Sequence, residues 1–208
     1  MAYYTKFGEF QFDVLREIGN IGAGHAATAL SKLIQKEIDM KVPQVNIIPF
    51  DQVADCVGGA EAVVVTVFLR VEGDATGNMF FILDMDSAQH LLHQITGVDK
   101  RVEEWEELEV SALHEIGNIL TGSYLSSLAD FTQLSLQPSV PALAIDMAGA
   151  ILSHGLYALG RAGDVALTID TAFFEGNERV KGNFFLIPDP DSLPILFRSL
   201  GVPFDGDN

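Results

Sequence analysis

The string Glu17-Ile18-Gly19-Asn20-Ile21 recurs letter for letter as Glu115-Ile116-Gly117-Asn118-Ile119, 98 positions further along the chain. At the same offset Gly24 meets Gly122, Leu30 meets Leu128, Val42 meets Val140 and Pro43 meets Pro141, without a gap. A second block, Gly77-Asn78-Met79-Phe80-Phe81-Ile82, returns as Gly182-Asn183-Phe184-Phe185-Leu186-Ile187 at an offset of 105, and Asp86-Ser87 returns as Asp191-Ser192. Such a chain must fold as two copies of one unit. A stacked solenoid needs at least three repeats, so the expectation is one pseudo-two-fold domain spanning residues 1–208, with halves at about 9–98 and 103–204.

The order of elements within one copy follows from local pattern. A long helix is expected at about 9–37, a strand after Pro43, a short helix near 51–59, strands near 61–71 and 76–84, and a helix near 86–96. The strands are marked by β-branched and aromatic runs such as Ala62-Val63-Val64-Val65-Thr66-Val67-Phe68-Leu69, and the turns between them by Gly73-Asp74 and Gly176-Asn177. Strands joined so tightly pair antiparallel. The fold class is therefore α+β: an internally duplicated unit with two long helices and shorter helices packed on a mostly antiparallel sheet of about six strands.

On the first long helix Asp13, Glu17, Asn20 and Gly24 share one stripe, because residues three, four and seven apart lie on the same face. Val14, Leu15, Ile18, Ala26, Ala29 and Leu33 point the other way and supply an apolar strip for the sheet. In the second copy Ser111, Glu115, Asn118 and Gly122 form the stripe, backed by Leu113, Ile116, Leu120, Tyr124 and Leu128. Both polar stripes should face solvent. Gly19, Gly22 and Gly24 each cost the helix about 0.8–1 kcal/mol relative to alanine. Two causes can offset that: close packing of the helix on its neighbours, or room for another protein to come near Glu17 and Asn20. Asn is a modest helix former, yet it stands at both equivalent places while much of the surrounding polar surface has drifted.

The chain carries a formal charge of −17, with 48% apolar residues and 14 Phe among 208 positions. That composition closes a sizeable core. It also argues against nucleic acid and anionic membrane surfaces as partners, since both are held by lysine and arginine. The single cysteine, Cys56, sits in an apolar stretch and is expected to be a small buried thiol. No basic-then-apolar leader opens the chain and no apolar window approaches a bilayer span, so a cytoplasmic setting and a monomer are expected. His90 and His93 could share a metal, but no third ligand has suitable spacing, and they read as a half-exposed helix pair. His114 beside Glu115 has Arg16 as its equivalent, so the chemistry does not require histidine there. The acidic run Glu103–Glu109 reads as a solvated start to the second long helix.

An exposed Glu-x-x-Asn offers a carboxylate and an amide that can hold a water between them, but no strong nucleophile. A side-chain amide orienting an attacking water is a device of phosphoryl transfer, in which metal and basic residues neutralise the phosphoryl group. This chain has the amide and lacks the cations, so the substrate would have to bring its own Mg²⁺ and lysine, as a phosphorylated protein does. The spacing Asp/Ser, three residues, Glu, two residues, Asn, twenty-two residues, Pro resembles the signature of the CheC family of chemotaxis phosphatases, which is related to CheX and to the flagellar switch protein FliY. Asp13, Glu17, Asn20 and Pro43 match it once; Ser111, Glu115, Asn118 and Pro141 match it again.

The resemblance implies an aspartyl-phosphate phosphatase acting on the response regulator CheY. By that resemblance the chain needs no cofactor of its own, since the regulator supplies Mg²⁺. Asn20 and Asn118 would enter the regulator's site and position the hydrolytic water, and Glu17 and Glu115 would contact its lysine. The resemblance further implies binding of the deamidase CheD, placed around Asp146 to Leu159, with Gly24 and Gly122 as contact positions beside the amides. The alternative is an adaptor that docks CheD or the regulator, at the flagellar motor or at receptors, without turnover. A glycosidase using Glu17 and Glu115 would need both in one cleft, which symmetric placement on separate helix faces opposes.

Overall fold

The computed structural model describes residues 9–42, 44–97, 105–159, 165–175 and 178–201. In chain order the first copy runs α1 (Glu9–Ile34), β1 (Asp39–Lys41), β2 (Val45–Pro49), two 3₁₀ turns (Phe50–Gln52 and Ala54–Val57), β3 (Val63–Gly73), β4 (Gly77–Asp84) and α2 (Met85–Thr96). The second runs α3 (Glu107–Thr132), β5 (Leu136–Pro138), β6 (Ala142–Met147), α4 (Ala148–Leu159), β7 (Val165–Glu175), β8 (Glu178–Pro188) and α5 (Leu193–Ser199). The short helix expected near 51–59 is a pair of 3₁₀ turns, while its counterpart in the second copy is the full helix α4. Of the two expected turn signals, Gly73 stands at φ +113°, the left-handed region that glycine tolerates; Gly176-Asn177 lies outside the described residues.

The sheet runs β1-β7-β8-β4-β3-β5, with β2 also on β7 and β6 also on β3. Eight strands thus fill six lanes, all antiparallel, each outer lane shared by two short strands. The edge strands are exchanged between copies. β1 and β2 of the first copy complete the β7–β8 hairpin of the second, and β5 and β6 of the second complete the β3–β4 hairpin of the first. At the centre Phe80 pairs with Phe185, its own equivalent at offset 105, so the pseudo-two-fold axis passes through that pair.

Both faces of the sheet are covered, which is why Met79–Leu83 of β4 and Phe184–Pro188 of β8 read as continuous apolar runs instead of alternating. On one face α1, α2, α3 and α5 bury Leu15, Ile18, Leu30, Leu113, Ile116 and Leu120 against Val65, Leu69, Phe81 and Leu186. On the other, α4 and the 3₁₀ turns close a smaller cluster around Phe80, Ile82, Phe185 and Ile187. Leu33 departs from the expected apolar strip: it lies in the last turn of α1, one turn past the buried Leu30, and is exposed. Cys56 departs too. The 3₁₀ turn buries Val53 against the sheet and leaves Cys56 on its outer side, exposed, with partial burial and the nearby Asp170 and Asp55 raising its thiol pKa. Glu109, expected in solvent, is buried because its carboxylate folds back to accept the Glu106 N–H at 2.8 Å in a capping box that starts α3. Glu103 and Glu104 lie outside the described residues. Trp105 is half-buried against the larger core.

The two long helices end identically. Gln35 and Gln133, 98 positions apart, both take φ 58°, a left-handed stop without glycine. Inside the helices, glycine marks close approach: a Cβ on Gly22 would lie 3.1 Å from the Tyr124 Cα, and one on Gly117 would overlap the Val67 side chain. Gly24 and Gly122 differ, with nothing within 4 Å of a Cβ. Tyr124 ties α3 to the sheet, its hydroxyl 3.0 Å from Thr171 Oγ1 and its ring 4.3 Å from Phe184. Burial pushes the Tyr124 phenol up to about 12, against a smaller lowering by the Thr171 hydrogen bond.

Gly117→Ala should therefore cost about 1–3 kcal/mol, because Val67 is β-branched and buried and cannot yield, whereas Gly24→Ala should gain about 0.5–1 kcal/mol from helix propensity. Urea unfolding of the two variants measures both signs. Tyr124 adds a pH term. Above pH 10 the unfolded chain releases this proton and the folded chain keeps it, so stability falls between about pH 10 and 12, by roughly 2–3 kcal/mol. The difference between wild type and Tyr124→Phe across that window isolates it.

Candidate functional site

Because α1 packs on the sheet and on α3 through Leu15, Ile18, Gly19 and Gly22, its opposite stripe is turned outward, and Asp13, Glu17, Asn20 and Gly24 are all exposed. The same holds for Ser111, Glu115 and Asn118 on α3, with Gly122 half-buried. The sequence-based quartets are thus brought together twice, each on one helix ridge. Pro141 is half-buried beside the second ridge; Pro43 lies outside the described residues. Asp146 stands apart. It is exposed at the end of the edge strand β6, its carboxylate accepting the Met147 N–H at 2.7 Å, where the chain enters α4 on the other side of the sheet.

Each ridge is tied to the loop that follows it, by different residues in the two copies. On α1 the Asn20 Oδ1 accepts the N–H of the buried Val42 at 3.3 Å, which turns the amide NH₂ toward solvent. On α3 the tie is His114, whose Nε2–H donates to the Pro141 carbonyl at 2.9 Å, while Val140, the equivalent of Val42, is 88% exposed. Arg16 stands where His114 does and pairs at 2.5 Å with Asp13, both side chains at least half exposed, a contact worth under about 1 kcal/mol. The cation that precedes Glu17 in the chain is therefore already engaged with Asp13. Among the described residues no three His, Cys, Asp or Glu side chains converge as metal ligands, and no helix is long and apolar enough to cross a membrane. His90 is half-buried with its ring nitrogen 3.2 Å from the Gln94 amide, and His93 is exposed.

The ridges thus present a carboxylate, an amide and no strong nucleophile. They can bind and orient a water or a hydroxyl, and they can enter a partner's cavity. The glycines divide accordingly: Gly19, Gly22 and Gly117 answer to packing, and Gly24 and Gly122 leave open space along the ridge just past each amide. The same stripes carry large apolar side chains that the polar pattern does not mark: Phe10, Ile21 and Leu108 are exposed, and Ile119, the equivalent of Ile21, is half-buried against the core. Their common offset of 98 and their helical phase were the available signal.

The CheC-like family model matches residues 10–47 and 108–145, the two segments that carry the ridges and their loops. The chain is 45% identical over 207 residues to the CheY-P phosphatase CheC of Bacillus subtilis, covering 97% of this chain and 99% of that protein. In fold it is similar to Thermotoga maritima FliY, with a TM-score of 0.72 at 20% identity over 94% of this chain and 98% of that one. It is also similar to a chain of the CheX-CheY-BeF3-Mg complex of Borrelia burgdorferi, with a TM-score of 0.51 at 16% identity over 81% and 96%.

His114→Ala should free the Pro141 loop without touching the first ridge. Hydrogen exchange is expected to rise by about tenfold at Ser139, the loop amide that donates to the Arg70 carbonyl at 2.8 Å, with Val42 unchanged. Equal exchange at Ser139 in both proteins would show that the tie does not hold the loop.

Proposed function

The chain belongs to the CheC-like family, and from that premise we propose that it hydrolyses the aspartyl phosphate of a CheY-type response regulator at two sites, Glu17–Asn20 and Glu115–Asn118. The observation that carries this reading is that both amides stand on outward ridges with open space beyond them at Gly24 and Gly122.

In each site the asparagine enters the regulator's phosphorylated pocket and holds a water in line with the phosphorus. The water oxygen bonds to phosphorus, the bond to the aspartyl oxygen breaks, and the regulator's carboxylate and inorganic phosphate are the products. Mg²⁺ and lysine of the regulator neutralise the phosphoryl oxygens. Glu17 or Glu115 pairs with that lysine, a role suited to an exposed carboxylate on an outward ridge. The enzyme's task is orientation, and an amide performs it without needing a shifted pKa. The setting is the cytoplasm, and a second partner, CheD, contacts the segment from Asp146 through α4, across the sheet from α1 and α3.

The decay of phosphorylated regulator tests the reading. Asn20→Ala and Asn118→Ala should each leave one working site, and the double variant should fall by about 10²-fold, toward the regulator's own rate. A double variant as fast as wild type would refute catalysis, and one that still binds the regulator without turnover would mark the amides as catalytic and the remaining ridge as docking.

A further inference from the structure

We infer that Phe10 with Ile21 on α1, and Leu108 on α3, form the apolar contact that seats the response regulator over each Glu–Asn pair, an inference that rests on the function proposed above. Phe10 is 70% exposed and Leu108 67%, at equivalent positions 98 apart; Ile21 is 43% exposed, whereas its equivalent Ile119 is half-buried against the core. At about 100° per residue, position 10 points within about 20° of position 17, and position 21 within about 40°. Each ridge therefore reads as a lane about 21 Å long from residue 10 to residue 24. A large apolar side chain stands two turns before the Glu, an isoleucine stands beside the Asn, and the glycine end is open.

Scattered exposed apolar residues are ordinary on any protein surface. Leu33 and Phe131, 46% and 47% exposed, are such a pair, and position 33 points about 160° away from position 17. Phe10 and Leu108 differ in phase, since they share the ridge of the reacting groups in both copies. The occupant follows from geometry. An amide can reach a phosphoryl group inside a pocket only if the pocket's rim lies on the helix to either side of it, and the exposed large apolar side chains along that stretch, residues 10 to 24, are Phe10 and Ile21. Covering them excludes water around the Glu and Asn, as apolar contacts do around a central polar pair. Apolar contact is also insensitive to the charge of −17, so it serves whatever the regulator's own net charge. These residues should set affinity and leave the chemical step alone.

The experiment measures KM and kcat separately on Mg²⁺-loaded, phosphorylated regulator, one site at a time. In the Asn118→Ala background, Phe10→Ser should raise KM by about tenfold with kcat within about twofold, and Phe10→Leu should restore KM. Leu108→Ser should do the same in the Asn20→Ala background. Leu33→Ser, off the ridge, should change neither parameter. An unchanged KM in Phe10→Ser, or an equal rise in Leu33→Ser, would overturn the inference. So would sedimentation showing a wild-type dimer that Phe10→Ser dissociates, because the surface would then belong to a second copy of this chain. If wild type proves to have no phosphatase activity, the proposed function fails by itself. Affinity for beryllofluoride-loaded regulator then reads the docking surface directly: about tenfold weaker binding by Phe10→Ser sustains it, and equal binding refutes it.

Discussion

Close seating of the two long helices is the constraint on which the site depends. Gly22 lies against the Tyr124 backbone, Gly117 against Val67, and Gly19 against Val42. Each glycine gives up helix propensity so that the helix can lie flat on its neighbour, and together they fix the rotation of α1 and α3 about their axes. Once the rotation is fixed, the stripe opposite the sheet is determined, and the carboxylate and amide on it have nowhere to point but outward.

The sheet beneath holds the two helices in register with each other. Because each copy's edge strands pair with the other copy's hairpin, separating the copies would leave β3 and β7 both unpaired at their outer sides. The Phe80–Phe185 pair on the pseudo-two-fold axis carries the same logic into the core. A duplicated ridge therefore comes with a shared foundation, while the loop ties at Asn20–Val42 and His114–Pro141 show that the copies have diverged where the foundation does not constrain them.

Much of this was legible from spacing. The offset of 98 located both ridges, and helical phase placed Glu17, Asn20, Glu115 and Asn118 on exposed faces before any coordinates. Strand existence was readable from runs such as that at 62–69, yet strand exchange was not, because pairing partners are set by the whole sheet and leave no local pattern. Cys56 and Glu109 were misjudged for local reasons: a one-turn helix has room to bury only one side, so Val53 took the core and the thiol was left out, and a capping box pulls its glutamate inward regardless of the charge around it. Leu33 failed because period alone does not say where the covering layer stops. Phe10 and Leu108 share their helical phase with the polar residues of each stripe, so period alone does not mark them as a contact surface.

The most direct test of the central claim is a structure of this chain bound to regulator carrying Mg²⁺ and beryllofluoride. The account predicts the Asn20 or Asn118 side chain inside the regulator's pocket, within about 3–4 Å of the position of the attacking water, and the adjoining Glu at the regulator's lysine. A complex in which the regulator sits elsewhere and both amides remain in solvent would contradict it.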